Sequence, residues 1–370
     1  MFLEKIRIEN FRIFSELNIN FHPKINIIFG RNGQGKTSIL EAIYFLSITK
    51  SFKAKTDTYV LKHEREFFDI KGSCNNNTTV NELRIYFSRS DGKHVFLDKQ
   101  KVKTFSEIVG QFPAILLSLE DIELTFGMPA SRRKFLDVLL SQLYPGYLFA
   151  LQKYKKSVLQ KNKLLSLEDY PNKLNELDIW NKQLIEFAVE ILMRRMEFVD
   201  YLNRNINSSY TTISAKEEKI EVLYKTNSGI LKNDYNSDQI KKIFSETLEK
   251  SKPSELKRQS CLFGPHRDDL EFLKDGYSFK SHGSQGENKS FLIALKLIES
   301  QYIFDVSKKR PLMLLDDIFG ELDSYRIENL LEIITDHGQT FITTTDDQKG
   351  KNIIADTASL FHLENSLIKQ

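Results

Sequence analysis

The 370-residue chain is poor in cysteine, with only Cys74 and Cys261, far apart in sequence. Two such residues build neither a disulfide framework nor a metal knuckle, so a reducing compartment is the expected setting. The seven histidines are scattered and never fall into a ligand spacing such as HExxH. Long hydrophobic runs are missing too: the longest apolar stretch, 291–304, is interrupted by Lys296 and Glu299, whereas a spanning helix needs about 20 apolar residues. From Met1 to Asn10 apolar and charged residues alternate, which reads as a strand and lacks the continuous apolar core of a signal peptide. A soluble, cytoplasmic protein with no membrane partner is expected. Nor does charge of one sign dominate, because 53 Lys and Arg face 50 Asp and Glu for a net +3. With 41% hydrophobic and 11% aromatic residues, the chain has the apolar material for real cores and is not disordered.

Periodicity divides the chain. Short strands are expected at 2–8, 17–21 and 25–29, the last an apolar run ending at Gly30 and followed by a helix over 37–46. Alternating runs between Phe67 and Val102, separated by turn-rich Cys74-Asn-Asn-Asn-Thr, Ser90-Asp-Gly and Asp98-Lys-Gln, read as an antiparallel meander. After a strand at 114–117 comes a helical tract broken at Pro145-Gly146 and at Pro171. Leu177, Trp180, Leu184, Phe187, Ile191 and Phe198 recur at steps of three and four, with a missing beat at Arg194. One apolar stripe needs a partner helix, and 147–165 is the candidate, giving an antiparallel helical arm. From about Pro253 α/β character returns, with strands at 269–273, 312–315 and 340–344 and helices at 286–306 and 324–335. Three segments follow: 1–118 and 253–370 as two halves of one head, and 119–252 as an inserted arm.

Gly30, Arg31, Asn32, Gly33, Gln34, Gly35, Lys36 and Thr37 fit G-x-x-x-x-G-K-[ST], after a buried strand and before a helix. Glycines let the backbone turn its N–H groups toward phosphate oxygens, and the helix dipole adds positive potential there. Lys36 is expected to reach the β- and γ-phosphates of ATP, and Thr37 to offer its hydroxyl oxygen to Mg2+. The metal's second holder is expected at the end of an apolar strand, Leu312 to Leu315, where Asp316 would orient Mg2+ and Asp317 would polarise the attacking water. Together these motifs predict nucleotide binding without separating kinases, switches, transporters and chromosome ATPases.

A third segment separates them. Ser284, Gln285 and Gly286 open a helix just before the acidic strand, which resembles the signature motif of ABC-type ATPases. The resemblance implies a head-to-tail homodimer in which Ser284 and Gly286 of one subunit meet the phosphate held by Lys36 of the other. Glu287 stands where that signature usually has glutamine. Gly320 to Asp323 follows at the spacing of a D-loop, and Thr345 takes the place of a phosphate-sensing histidine. A hydroxyl hydrogen-bonds phosphate but carries no charge, so slow turnover is expected.

Ile8-Glu-Asn-Phe-Arg12, Ser118-Leu-Glu-Asp-Ile122, Arg132-Arg-Lys-Phe-Leu-Asp137, Gly264-Pro-His-Arg-Asp-Asp269 and Leu314-Leu-Asp-Asp-Ile-Phe-Gly-Glu-Leu-Asp323 spread over nearly the whole chain. With the three phosphate motifs, they make the chain similar to the RecF family of bacterial recombination mediators, related to the heads of structural-maintenance-of-chromosomes (SMC) proteins. The fold class implied is α/β, a P-loop ABC/SMC-type ATPase head with an antiparallel β subdomain and an inserted helical arm. The resemblance also implies a weak DNA-stimulated ATPase, binding to single-stranded or gapped DNA, work with RecO and RecR, and roles in repair, replication restart and the SOS response. Ile13 and Phe14 depart from the Asn-Tyr expected after Arg12, which is open to either nucleotide contact or a surface role. His266 is open between a catalytic and a structural role.

DNA requires local positive charge. Between Ser131 and Lys163 lie Arg132, Arg133, Lys134, Lys153, Lys155, Lys156, Lys161 and Lys163 against Asp137 alone, a local excess of seven. Arg132, Arg133, Lys153, Lys155, Lys156, Lys161 and Lys163 are the candidate DNA contacts, although any one of them can equally be a solvated helix residue. Competing functions are a transporter's nucleotide-binding subunit, an ATP-gated nuclease and a non-hydrolysing scaffold. The chain lacks the switch histidine of the first and has a long helical insert that fits it poorly, and it lacks the additional acidic metal cluster that the second requires.

Overall fold

The computed structural model describes residues 1–75, 80–167, 171, 173–226, 236–318, 324–334, 337–345, 358–364 and 367–369. The chain opens with β1 (Phe2–Phe11) and β2 (Phe14–Asn20), an antiparallel pair. Ile6 and Ile8 point into the core while Lys5 and Arg7 face solvent, and an irregularity between Leu3 and Lys5 against the next paired strand lets Leu3 remain buried. β3 (Ile25–Phe29) is buried along nearly its whole length, as a central parallel strand must be. Its one polar core residue, Asn26, exchanges two hydrogen bonds with the His22 backbone. α1 (Lys36–Ile48) follows, its middle buried almost all round by Ile39, Leu40, Ala42, Ile43, Phe45 and Leu46. β4 (Phe67–Asn75), β5 (Val80–Ser88), β6 (Gly92–Leu97) and β7 (Gln100–Lys101) extend the first hairpin into an antiparallel sheet ordered β2-β1-β4-β5-β6-β7. The turn at 76–79 lies outside the described residues. β8 (Ala114–Ser118) ends this part.

The helices that follow are α2 (Glu123–Phe126), α3 (Pro129–Leu143), α4 (Pro145–Ser166) and α5 (Lys173–Ser214). Proline occupies the first turn of both α3 and α4, where its missing N–H costs nothing. α4 and α5 run antiparallel: Tyr144 Oη donates to Glu197, Ser157 Oγ donates to Gln183, and Leu164 and Leu165 pack with Leu177 and Trp180. The missing beat in the α5 stripe has a physical occupant. Arg195 is buried to 2% exposure and donates to Tyr147 Oη, Tyr224 Oη, the Pro265 carbonyl and Asp137, while Arg194 faces outward between Glu190 and Glu197. β9 (Ile220–Lys225), α6 (Ser237–Arg258), β10 (Asp269–Lys274), β11 (Tyr277–Ser278) and α7 (Phe279–His282) complete this region, the strands forming a sheet ordered β11-β10-β9.

Next come α8 (Gln285–Ser307), β12 (Leu312–Asp316), α9 (Ser324–Ile334), β13 (Thr340–Thr344), β14 (Ala358–Glu364) and β15 (Leu367–Lys369). The third sheet is ordered β15-β14-β3-β13-β12-β8, parallel except for β15, and joins strands from both ends of the chain. β3 and β12 thereby flank β13, which brings the glycine loop and the acidic strand end to the same edge of the sheet.

The chain divides into two compact units, one of residues 1–122, 208–216 and 285–370, the other of residues 123–207 and 217–284. The boundary expected near 253 differs. α6 continues through Pro253 to Arg258, and β10, read from sequence as part of the head, pairs along six residues with β9 in the second unit. Strand character was legible at 269–273, but the partner of a strand is a tertiary property.

Candidate nucleotide-binding site

The glycine loop holds its shape because two positions exclude a side chain. A Cβ on Gly30 would meet the Leu363 carbonyl oxygen at 2.4 Å. At Gly35, φ is +101° and a Cβ would come within 2.5 Å of Ile13 and 2.8 Å of Phe14. Lys36 is 7% exposed, and its Nζ donates to the carbonyls of Gly30 at 2.7 Å and Arg31 at 3.1 Å. Burial lowers the Lys36 ammonium below its ordinary value, and the nearby charges of Asp317 and Asp316 partly restore it. Arg31, Asn32, Gly33 and Gln34 form the exposed or half-exposed rim of the loop.

Below the loop, Thr37 Oγ1 donates to Asp316 Oδ1 at 2.8 Å. Sequence reasoning missed Thr343, whose Oγ1 donates to the same Asp316 oxygen at 2.8 Å and accepts the Asp317 N–H at 2.9 Å. Its only sequence signal is a hydroxyl at the next-to-last position of a buried strand. Lys53 Nζ, 3.8 Å from Asp316 Oδ2, was missed as well. Asp317 adopts φ +54°, a left-handed conformation that is strained for a non-glycine residue. Lys36, Thr37, Asp316 and Asp317 are therefore one cluster. The glycine cradle, the buried cation and the hydroxyl–carboxylate pair fit a triphosphate with its Mg2+.

Beside α1 opens a depression of ≈ 670 Å³ lined by Arg12, Thr37, Ser38, Glu41, Lys53 and Tyr59, among others. Arg12 lies at its wall. Its guanidinium is held by both Glu41 oxygens, at 2.7 and 2.6 Å, and by the Tyr59 carbonyl at 2.9 Å.

The signature candidates occupy another helix terminus. Ser284 is the last residue of the second unit and immediately precedes α8, whose first turn contains Gly286 and Glu287. Lys216 lies 3.9 Å from Glu287, so a cation accompanies the acid at this unusual position. Thr345 follows β13 and is exposed, and the D-loop candidate Gly320 to Asp323 is outside the described residues.

Three of the seven proposed DNA contacts are corrected by their surroundings. Arg132 is 6% exposed and pairs with both oxygens of Asp269 at 2.7 and 2.9 Å. Lys161 is 1% exposed, with Nζ 2.7 Å from Glu255. Arg133 is half-buried and donates to the Asp268 carbonyl at 2.7 Å. Each cation is spent on a group remote in sequence, which a local charge count does not register. Lys153, Lys155, Lys156 and Lys163 are exposed on α4, with Lys155 reaching Asp137 at 3.1 Å.

His266 is structural. Its Nδ1 accepts from Tyr154 Oη at 2.6 Å and its Nε2 faces the Cys261 carbonyl at 3.3 Å, and burial lowers the imidazole to about 4. A neutral ring with the proton on Nε2 satisfies both partners.

A threonine hydroxyl shared with the acidic end of a neighbouring strand is the metal-side half of a P-loop NTPase, and the mixed sheet with its added antiparallel layer places the chain among ABC/SMC-type ATPase heads. The family model for the RecF/RecN/SMC N terminal domain matches residues 2–369. The chain belongs to this family, and within it to RecF. It is 39% identical over 350 residues to the DNA replication and repair protein RecF of Chloroherpeton thalassium, covering 94% of this chain and 95% of that one. RecF of Lactobacillus acidophilus is 34% identical over 370 residues, covering 100% and 98%. A solved structure of the recombination mediator RecF with ATP, from the RecFOR pathway, is 29% identical with a TM-score of 0.90, covering 100% and 97%. An SMC head bound to part of ScpA shares the fold alone, at 16% identity, a TM-score of 0.57 and coverage of 100% and 96%.

Proposed function

We propose that this protein is an ATP-switched, DNA-binding protein of recombinational repair and replication restart, acting on single-stranded or gapped DNA as a homodimer. The observation that carries the reading is the Thr37–Asp316 pair beneath a loop whose lysine is already folded inward. Lys36 exchanges the Gly30 and Arg31 carbonyls for phosphate oxygens. Loop N–H groups would add further donors, Thr37 and Asp316 would hold Mg2+, and Asp317 would polarise the attacking water. Bound MgATP supplies a multiply charged, hydrolysable triphosphate. Ser284 and the N–H groups opening α8 of one protomer close over the phosphates held by its partner, so ATP joins two heads and hydrolysis releases them. Turnover is weak because Thr345 supplies a hydroxyl where a charged or titrating group would be faster, and the family likeness supports its stimulation by DNA.

The DNA role is supported by the full-length likeness to DNA replication and repair proteins, and work with RecO and RecR by the RecFOR pathway in which the ATP-bound relative acts. Family membership leaves the transporter and nuclease readings without support. Among the described residues no helix is long and apolar enough to cross a membrane. Light scattering with and without ATP tests the proposal, with Lys36→Met and Ser284→Arg as controls. A doubling of mass with ATP that both variants lose supports it; a wild-type protein that stays monomeric at saturating ATP overturns it.

A further inference from the structure

α4 carries a feature that the charge count did not reveal. Phe149, Lys153, Lys156, Gln160 and Lys163 follow one another at steps of three and four along the helix, which at 3.6 residues per turn lines them up on one face about 21 Å long. Phe149 is 55% exposed although it belongs to the most readily buried class of side chains. Its ring is not loose. It meets Phe187 of α5 edge-on, with centroids 6.2 Å apart, and Lys153 Nζ lies 5.3 Å from its centroid. Leu159, 67% exposed, lies at the side of the same stripe.

Two of the acids near this face are already engaged. Asp137 is engaged by Arg195 and Lys155, and Glu190, beside Gly146 at the start of α4, is engaged by Arg194. Lys153, Lys156 and Lys163 form no ion pair with an acid among the described residues, so the face carries uncompensated positive charge around an exposed aromatic ring. Duplex DNA offers phosphates to such a face but keeps its bases stacked inside. A single strand offers both phosphates and unpaired bases, and base-on-aromatic stacking with a lysine-lined backbone track is how sequence-tolerant single-strand binding works.

We propose that Phe149 is a specificity-determining contact for single-stranded DNA: an unpaired base stacks on its ring while Lys153, Lys156 and Lys163 hold the flanking phosphates. Lys153 leaves the ring for the backbone when the base arrives. This rests on the DNA-binding reading above and adds to it the residue that distinguishes unpaired from paired strands.

The test is fluorescence anisotropy of the full-length protein with MgATP, using a labelled oligo-dT and a blunt duplex of the same length. Phe149→Leu keeps an apolar side chain and removes the ring; it is expected to weaken oligo-dT binding by about tenfold or more, with duplex binding within about twofold. Phe149→Trp is expected to restore single-strand binding. A 2-aminopurine base in the strand is expected to change its fluorescence on binding to wild type and Phe149→Trp but not to Phe149→Leu. Equal affinity of wild type and Phe149→Leu for oligo-dT, or equal loss on both DNAs, overturns the proposal while leaving DNA binding intact. Wild type that binds neither DNA overturns both readings, and tighter capture of an acidic polypeptide such as polyglutamate than of oligo-dT overturns the choice of ligand.

Discussion

Thr37 and Asp316 are 279 residues apart in sequence, and their side chains meet at 2.8 Å. The contact exists because β3 and β12 both border β13 in a parallel sheet, so the residues that follow them emerge at one edge. Thr343, on the strand between, completes the arrangement by donating to the same Asp316 oxygen. A carboxylate that receives two hydroxyl donors is held in one orientation before any metal arrives.

Thr343→Val tests that preorganisation. The substitution preserves shape but removes a donor to Asp316 and the acceptor of the Asp317 N–H. Leaving such buried groups unpaired costs about 1–3 kcal/mol. Urea unfolding is expected to show that loss, and calorimetric titration to show weaker MgATP binding with a smaller effect on ATP without Mg2+.

Gly35→Ala tests the loop. The added Cβ faces Ile13 and Phe14 within 3 Å, at a φ of +101°. A left-handed conformation costs a non-glycine residue about 1–2 kcal/mol before any collision is counted. Nucleotide affinity measured by equilibrium dialysis is expected to fall by about tenfold or more, since 1.36 kcal/mol is one decade. Unchanged affinity would show that the loop relaxes at no cost.

His266 gives the second unit a pH dependence. Buried neutral, it titrates at about 4 when folded, below its ordinary 6.5, mainly because burial penalises the charged ring. Between these values the unfolded chain binds the extra proton, so stability is complete above pH 6.5 and declines as pH falls toward 4. The loss is on the order of 3 kcal/mol. Urea midpoints measured from pH 7.5 to 4.5 are expected to fall less steeply in His266→Gln, whose amide does not titrate.

Lysines of one helix should separate into two behaviours. Lys153→Glu with Lys155→Glu and Lys156→Glu is expected to weaken DNA binding and flatten its salt slope, each lost phosphate contact removing about 0.7 to 0.9 from the slope. Lys161→Met instead leaves Glu255 buried without its cation, costing about 3–5 kcal/mol of stability. Its DNA affinity, measured on the folded fraction, is expected to stay at the wild-type level.

Local chemistry was readable from sequence wherever it depended on neighbours along the chain. The glycine loop, its strand and its helix were legible because turn geometry and apolar runs are local, and the antiparallel pairing of 147–165 with the α5 stripe was legible because helical period exposes a face that must be covered. Charge was misread for the same reason: Arg132 and Lys161 count as basic in any window, yet Asp269 and Glu255, far along the chain, neutralise them. The opposite error occurred beside Arg194, where the α5 stripe misses a beat: the next residue, Arg195, is its buried member and donates to Asp137.

By itself, the sequence determined that a phosphate loop, an acidic strand end and a second helix-opening serine motif exist, since each rests on residues within a few positions of one another. Tertiary structure alone decided that Thr343 and Lys53 join Asp316, that β10 belongs with β9, and that Phe149, Lys153, Lys156 and Lys163 of α4 share one face open to solvent. Those outcomes depend on which strands pair and which helix faces meet, and burial energy selects such partners across hundreds of residues without leaving a local mark.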